Sequence, residues 1–349
     1  MANYIFKKEA QVFLVYDSTK YRIDISEISF SQSFQEKSYE VKTLHNQVGF
    51  EGSNINRANP AGFSFNTPLL EEARHEVVFD RLLDCTTFDL YISSGQDVFK
   101  LEKCVIQDGT FEINKSRPLR LSISGEASKL SKYIPTGTSI AATAITGKYV
   151  YITALGNTDF TTAGAVENKV GHIFTANSNA SGTGTVVEVI PGTLYSPAYP
   201  ATTTYIIPQV NTLTIGGTDI SSDVVALSVE VQNDISWNNY NTIQGAVTAT
   251  NAATSMFPNN FTVGTRVVAG SITKYLKGST DLLTWNTNTA LRLKAWNTSD
   301  KGVDFNITNC SFTNRFQDSE VFLEEYSWRM TQRPTAAQLT GTVIKYDTT

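Results

Sequence analysis

The same order of β-type elements runs through this chain twice, and that order constrains its fold more than any single motif. The first copy spans residues 4–133 and the second residues 205–330. Tyr4-Ile5-Phe6, Val12-Phe13-Leu14-Val15, a polar turn and Ile28-Ser29-Phe30 open the first copy. Tyr205-Ile206-Ile207, Leu213-Thr214-Ile215, a Gly216-Gly217 turn and Leu227-Ser228-Val229 open the second. Ala61-Gly62-Phe63-Ser64 is answered by Ala269-Gly270-Ser271-Ile272. Gly62 lies 42 residues before Cys104, and Gly270 lies 40 residues before Cys310. Identity between the copies is low, so the order of elements carries the reading. Two similar domains in one chain can fill equivalent places in a ring.

At 349 residues there is room for two sizeable cores and a small third module. Charged residues make up 17% and hydrophobic ones 41%, and the formal net charge is -5. A surface built to grip nucleic acid would be basic. Cys85, Cys104 and Cys310 are odd in number and widely spaced, so they read as small buried hydrophobes rather than a disulfide framework. The N-terminal residues lack the apolar run of a signal peptide, and no stretch reaches the length of a membrane-spanning helix. No membrane insertion is expected, and the expected place of assembly is the cytoplasm.

Along the chain, residues 11–31 alternate about Asp17-Ser18-Thr19-Lys20 and read as a hairpin. Residues 35–60 read as a long loop, an unusual feature inside a domain and one that tends to be functional. Phe63 and Phe65 mark a strand. His75, Val78, Phe79, Leu82 and Leu83 fall on one arc of a helix over residues 70–84. Thr87 to Ile92, Val98 to Ile106 and Thr110 to Ile113 read as strands, with Asp108-Gly109 as a hairpin turn. Leu119, Leu121 and Ile123 form a closing strand whose other face carries Arg120, Ser122 and Ser124. The second copy repeats this order, with its long loop over residues 233–264 and a shorter segment, 279–285, in place of the helix. Strands over residues 291–296, 303–312 and 320–330 end it. Between the copies, residues 135–204 are rich in Gly, Ala and Thr and read as an inserted β module with Pro-containing joints. The expected division is therefore 1–134, 135–204 and 205–349.

Searches for chemistry return structural readings. His75-Glu76-Val77-Val78-Phe79 has Phe where a zinc-protease helix needs its second His. His75 also lies on the apolar arc, as a structural histidine would. Position 142 is Ala and Tyr149 follows Lys148, so the phosphate-loop pattern fails twice. Gly182-Thr183-Gly184 reads as a β turn. No Gly-x-Ser-x-Gly elbow is present. The neighbouring carboxylates Glu71-Glu72 and Glu324-Glu325 point in different directions on a helix or strand. No catalytic, cofactor-binding or metal-binding residue is assigned. Tyr39, Phe50, Trp237, Tyr240 and Phe257 sit in the two long loops and are candidates for subunit contact.

This order of hairpin, long loop, strand, helix, hairpin and closing strand, present twice, resembles the tail tube (major tail) protein of long-tailed bacteriophages in its duplicated form. Asp234-Ile235-Ser236-Trp237 and residues 49–65 carry the closest local likeness. Residues 151–185 resemble a small β module of phage virion proteins. The resemblance implies a mainly β fold of two tandem sandwich or barrel domains, each with a short helix, plus the inserted module. It implies trimeric, pseudo-hexameric rings stacked into a tube that conducts double-stranded DNA without sequence-specific binding. The insert would lie outside the tube, and the two long loops would reach the adjacent ring, placing Tyr39, Phe50, Trp237, Tyr240 and Phe257 at inter-ring contacts. Arg120, Ser122, Ser124, Glu320 and Glu324 would face the lumen. Tape-measure, tail-tip and tail-terminator proteins are the implied partners, and the virion tail the implied location. The alternative is a virion receptor-binding or decoration protein that holds host-surface glycans. A hydrolase is a third reading, without a catalytic spacing to support it.

Overall fold

Alternation of apolar and polar side chains with a period of two governs most of this chain, and the computed structural model is mainly β. The structure describes residues 10–39, 52–114, 117–196, 204–238, 256–276, 289–317, 320–331 and 344–347. In chain order come β1 (Gln11–Tyr16), β2 (Thr19–Ile23), β3 (Glu27–Ser31), β4 (Phe34–Tyr39), β5 (Gly52–Ala58) and β6 (Ala61–Pro68). Helix α1 (Glu76–Asp84) follows, then β7 (Phe88–Ser94), β8 (Asp97–Asn114), β9 (Arg120–Ala127) and β10 (Lys129–Tyr133). Next are β11 (Ile140–Ala141), β12 (Tyr149–Ala154), β13 (Ile173–Thr175), β14 (Thr185–Glu188) and β15 (Thr193–Leu194). The remainder is β16 (Gln209–Ile215), β17 (Thr218–Asp219), β18 (Val224–Asn238), β19 (Asn260–Tyr275), β20 (Thr289–Trp296), β21 (Gly302–Gln317), β22 (Leu323–Met330) and β23 (Ile344–Asp347).

Contacts divide the chain into two compact units that do not follow chain order. One comprises Met1–Asp24, Phe88–Glu102 and Leu130–Tyr199; the other comprises Ile25–Thr87, Lys103–Lys129 and Pro200–Thr349. In the first unit β1 lies between β2 and β7, and β15 adds to β2 in parallel. Asp17 and Ser18 make the tight β1–β2 turn at φ 46° and 61°. β11 to β14 form a separate four-stranded sheet. Its own core contains Val150, Ile152, Phe160, Phe174 and Val186.

The second unit is one ladder of antiparallel neighbours, running β3, β6, β9, β8, β18, β19, β22, β21, β20, β16, β17. Phe63, Phe65, Phe111, Leu121, Ile123, Leu227, Val229, Val231 and Ile272 are buried along one face of it. Helix α1 packs on that face through Phe79, whose ring lies 5.7 Å from that of Phe111. Phe111 in turn meets Phe305 at 5.6 Å. The helix ends at Cys85, which takes φ 55°. The exposed carbonyls of its last turn would otherwise lack donors. Asn233 donates to Leu82 O at 2.9 Å, and Arg266 donates to Leu83 O at 2.9 Å.

One order of pairings occurs twice. β1–β2, β1–β7, β3–β6, β6–β9, β8–β9 and β8–β10 make the first series. β16–β17, β16–β20, β18–β19, β19–β22, β21–β22 and β21–β23 make the second. Phe63 faces Gly125 across β6 and β9, and Gly270 faces Trp328 across β19 and β22. In each pair the ring covers the glycine so closely that a Cβ there would come within 2.6 Å of Phe63 Cζ or 2.7 Å of Trp328 Cζ2. Ring and glycine have exchanged strands between the series. By these ladders Phe63, not Gly62, occupies the place of Gly270, one residue away from the match read in the sequence.

Several local expectations need correction. Asp108-Gly109 is not a turn: β8 continues through it to Asn114. Gly109 is required because a Cβ there would collide with the Leu82 side chain of α1. The expected loop at 35–60 is in part the β4–β5 ribbon, and that at 233–264 is in part the ends of β18 and β19. Residues 40–51 and 239–255 lie outside the described residues, as do residues 4–6 and the segment 279–285. The helix begins at Glu76, after a 3-10 turn over Ala73–His75.

Phe111→Ala empties the space between Phe79 and Phe305 and is expected to cost about 3–5 kcal/mol. The denaturant midpoint of the purified chain checks this, with an unchanged m-value as the sign that only stability moved.

Candidate functional site: a polar sheet face

The reverse side of the long ladder is polar, and its side chains line up in rows across strands. Glu27, Asn66, Ser122, Thr110, Glu230, Ala269, Arg329 and Ser311 form one row through successive register partners. Arg120, Glu112, Ser228, Ser271, Ser327 and Thr313 form a second. Ser29, Ser64, Ser124, Asp108 and Gln232 form a third. The rows exist because a strand presents every second residue to one face and antiparallel neighbours stay in register.

Local bonding is short-range. The Ser228 and Ser271 hydroxyls are 2.8 Å apart, and Ser124 Oγ donates to Asp108 Oδ2 at 2.9 Å. Arg315 Nη2 pairs across strands with Glu325 Oε2 at 2.6 Å. Glu112 sits directly opposite Arg120. Along these rows and their neighbours the carboxylates Glu27, Asp108, Glu112, Glu126, Glu230 and Glu325 outnumber the guanidiniums of Arg120, Arg315 and Arg329. Burial raises the Glu126 carboxyl above the usual carboxylate range, against a smaller lowering effect from its hydrogen bond with Gln107. Such a surface offers hydroxyls and a net negative field, with no cluster of lysines to hold a phosphate chain.

The residues expected to face a lumen divide. Arg120, Ser122 and Ser124 stand together on β9, on the polar face. Glu320 is exposed just before β22. Glu324 points to the opposite side and is fully buried. There its carboxylate lies 3.6 Å from Lys274 Nζ and accepts a hydrogen bond from Asn314 Nδ2 at 3.2 Å. The Lys274 ammonium also lies 5.6 Å from the Tyr326 ring centroid. The sequence reading missed Lys274, because a lone lysine in an alternating strand carries no sign of burial.

Of the residues expected at inter-ring contacts, Tyr39, Trp237 and Phe257 fall among the described residues. Phe50 and Tyr240 lie outside the described residues, and Tyr39 is the last residue of β4. Trp237 packs on Phe261 with centroids 5.2 Å apart. Phe257 meets Phe34 edge-on at 6.3 Å and has the Lys129 ammonium 5.1 Å from its ring centre. His75, read as structural, is fully buried, and its Nδ1 donates to the Pro68 carbonyl at 2.9 Å. Cys85, Cys104 and Cys310 are buried and form no disulfide among the described residues.

The longest ladder of this mainly β chain thus buries one face and lines the other with in-register polar rows. Residues 2–152 match the Bacteriophage Baseplate Tube Protein Family. This supports a structural protein of a phage tail or baseplate tube, carried in the virion. A chain in the cryo-EM structure of the anti-feeding prophage (AFP) baseplate, 6-fold symmetrised, aligns at 11% identity and a TM-score of 0.29, over 38% of this chain and 97% of that one. Comparison with curated proteins returns no match.

Two outcomes test the site. Lys274→Met leaves the Glu324 carboxylate buried without its cation and is expected to cost about 3–5 kcal/mol, most of it recovered by adding Glu324→Leu. Chemical denaturation of the two variants measures this. The raised Glu126 carboxyl holds its proton more tightly folded than unfolded. Its contribution is therefore full below the ordinary carboxylate range and is lost as pH rises through the folded value. Glu126→Gln should remove that decline, so the stability gap between variant and parent should widen in the variant's favour over that pH interval.

Proposed function

We propose that this chain is a tube-forming structural protein of a phage tail or its baseplate, with three copies closing each ring and rings stacking into a conduit for double-stranded DNA. The observation that carries the reading is the row of register partners from Glu27 on β3 to Ser311 on β21. It crosses strands of both pairing series without a break, as a ring wall made of tandem staves requires. The repeated pairing order supports the tandem reading, and the family match over residues 2–152 supports the tube class. The polar face would line the bore. Its hydroxyls and net negative charge suit a polyanion that must slide, because few phosphates would find a cation to hold them. Arg120 and Glu320 would stand at that surface, while Tyr39, Phe50, Trp237, Tyr240 and Phe257 would meet the next ring. The ends of the stack would engage tape-measure, tail-tip and terminator proteins, after assembly in the host cytoplasm.

A glycan-binding virion protein is the second reading. In its favour is a cleft of about 480 Å³ in the first unit, lined by Phe13, Lys20, Tyr149, Glu188 and Leu194 among others. Such a protein would remain a discrete oligomer and bind oligosaccharide. Negative-stain imaging of the purified protein separates the two. Rings or hollow filaments with threefold or pseudo-sixfold end views are expected, and discrete particles that retain oligosaccharide would reverse the choice.

A further inference from the structure

Within the first unit, a cleft between the β1–β2 hairpin and the four-stranded sheet is built from both sides. Alternation sends Phe13, Lys20 and Arg22 to one face of the hairpin, with Phe13 and Arg22 as direct register partners. Opposite them, Lys148 precedes β12, Tyr149 opens it, and Glu188 closes β14. β15 forms the rim: Thr193 N donates to Ser18 O at 2.8 Å and Tyr195 N to Lys20 O at 3.0 Å. Gly192 permits that approach, since a Cβ there would lie 2.7 Å from Ser18 O. The two walls are also fastened to each other. The Ser93 and Tyr149 hydroxyls are 2.6 Å apart, and Phe13 stacks on Tyr149 with centroids 6.5 Å apart and planes 18° from parallel.

Charge in this cleft runs against the charge of the chain. The formal net charge is -5, yet Lys20, Arg22 and Lys148 line the cleft against one carboxylate among the described residues, Glu188. Glu188 is held by Lys20, whose Nζ lies 2.5 Å from its Oε2 and also donates to Ile190 O at 3.1 Å. Lys148 is placed differently. Its Nζ lies 3.8 Å from Glu188 Oε1, beyond hydrogen-bonding distance, and its side chain is 40% exposed. Its donors can therefore turn to a ligand. Arg22 is exposed at the same cleft and carries a planar fork suited to a carboxylate. Thr175 and Thr193 add hydroxyls to the lining. The volume of about 480 Å³ lies within the roughly 300–1,000 Å³ of small-ligand sites.

We propose that this cleft binds a short acidic saccharide, with a sugar ring against Tyr149 and a carboxylate against Lys148 and Arg22. The proposal rests on the glycan-binding reading of the cleft given above and adds the charge of the ligand. Ring formation by the chain neither requires nor forbids it. A saccharide fits because the lining combines aromatic carbon, hydroxyls and cations. An apolar ligand would strip water from the cations and give nothing back. Nucleic acid fits poorly, because the three cations stand inside one cleft and not along a track that could follow a phosphate chain.

An array of neutral and carboxylated oligosaccharides, probed with the full-length protein, tests this. Carboxylated members should be retained, and less so as salt rises. In calorimetry, the strongest of them should bind roughly tenfold more tightly than its methyl ester, which keeps the sugar and loses the charge. Lys148→Gln should weaken the acid by a similar roughly tenfold factor and leave the ester unaffected. Its melting temperature should match the parent's, because Lys148 is half-exposed and its contact with Glu188 is long. Equal binding of acid and ester, or a Lys148→Gln variant that binds the acid as the parent does, would overturn the acidic ligand and leave the glycan reading standing. An array with no retained saccharide would overturn both. Inorganic phosphate that displaces the acid at equal concentration would reveal a plain anion site and overturn the saccharide.

Discussion

Occupation of both edges of β8 by backbone pairing is the constraint on which the second unit depends. With β9 on one side and β18 on the other, residues 108–112 have nowhere to shift. A slip of one residue would carry Phe111 from the buried face to the polar one. That fixed strand sets the seat of α1. Gly109 leaves room for Leu82, and Phe111 meets Phe79. Asn233 on β18 reaches Leu82 O and also Ile106 O on β8 at 3.2 Å, so one buried amide ties helix, first series and second series together. Both bonds come from its Nδ2, while its buried Oδ1 has no hydrogen-bond partner among the described residues, so the amide serves specificity more than stability.

The polar rows follow from the same constraint. Once the register of β8 is fixed, every neighbour's alternation is fixed with it, and the reverse face becomes a grid of short polar side chains. Serine and threonine keep that face smooth and lose little side-chain entropy when ordered. Two charge pairs lie against opposites, Arg120 with Glu112 and Arg315 with Glu325, which blunts their pull on a passing ion. What remains is a weakly negative, hydroxyl-rich surface, a poor binder of phosphate.

Hairpins and strand faces were legible in the sequence because period-two alternation is a local signal. The β1–β2 turn, the buried face of β9 and the insert strands at residues 149–152 and 185–188 follow from it. What escaped depended on distant partners. Asp108-Gly109 has the composition of a turn, but Leu82 on α1 determines what that glycine does. Ala61-Gly62 matches Ala269-Gly270 as text, yet the ladders shift the match by one, because Phe63 and Gly125 have traded places with their counterparts Gly270 and Trp328. Arg120, Ser122 and Ser124 were found as one face from alternation alone. Glu324 was misjudged, since only Lys274 on the neighbouring β19 explains a carboxylate on the apolar side.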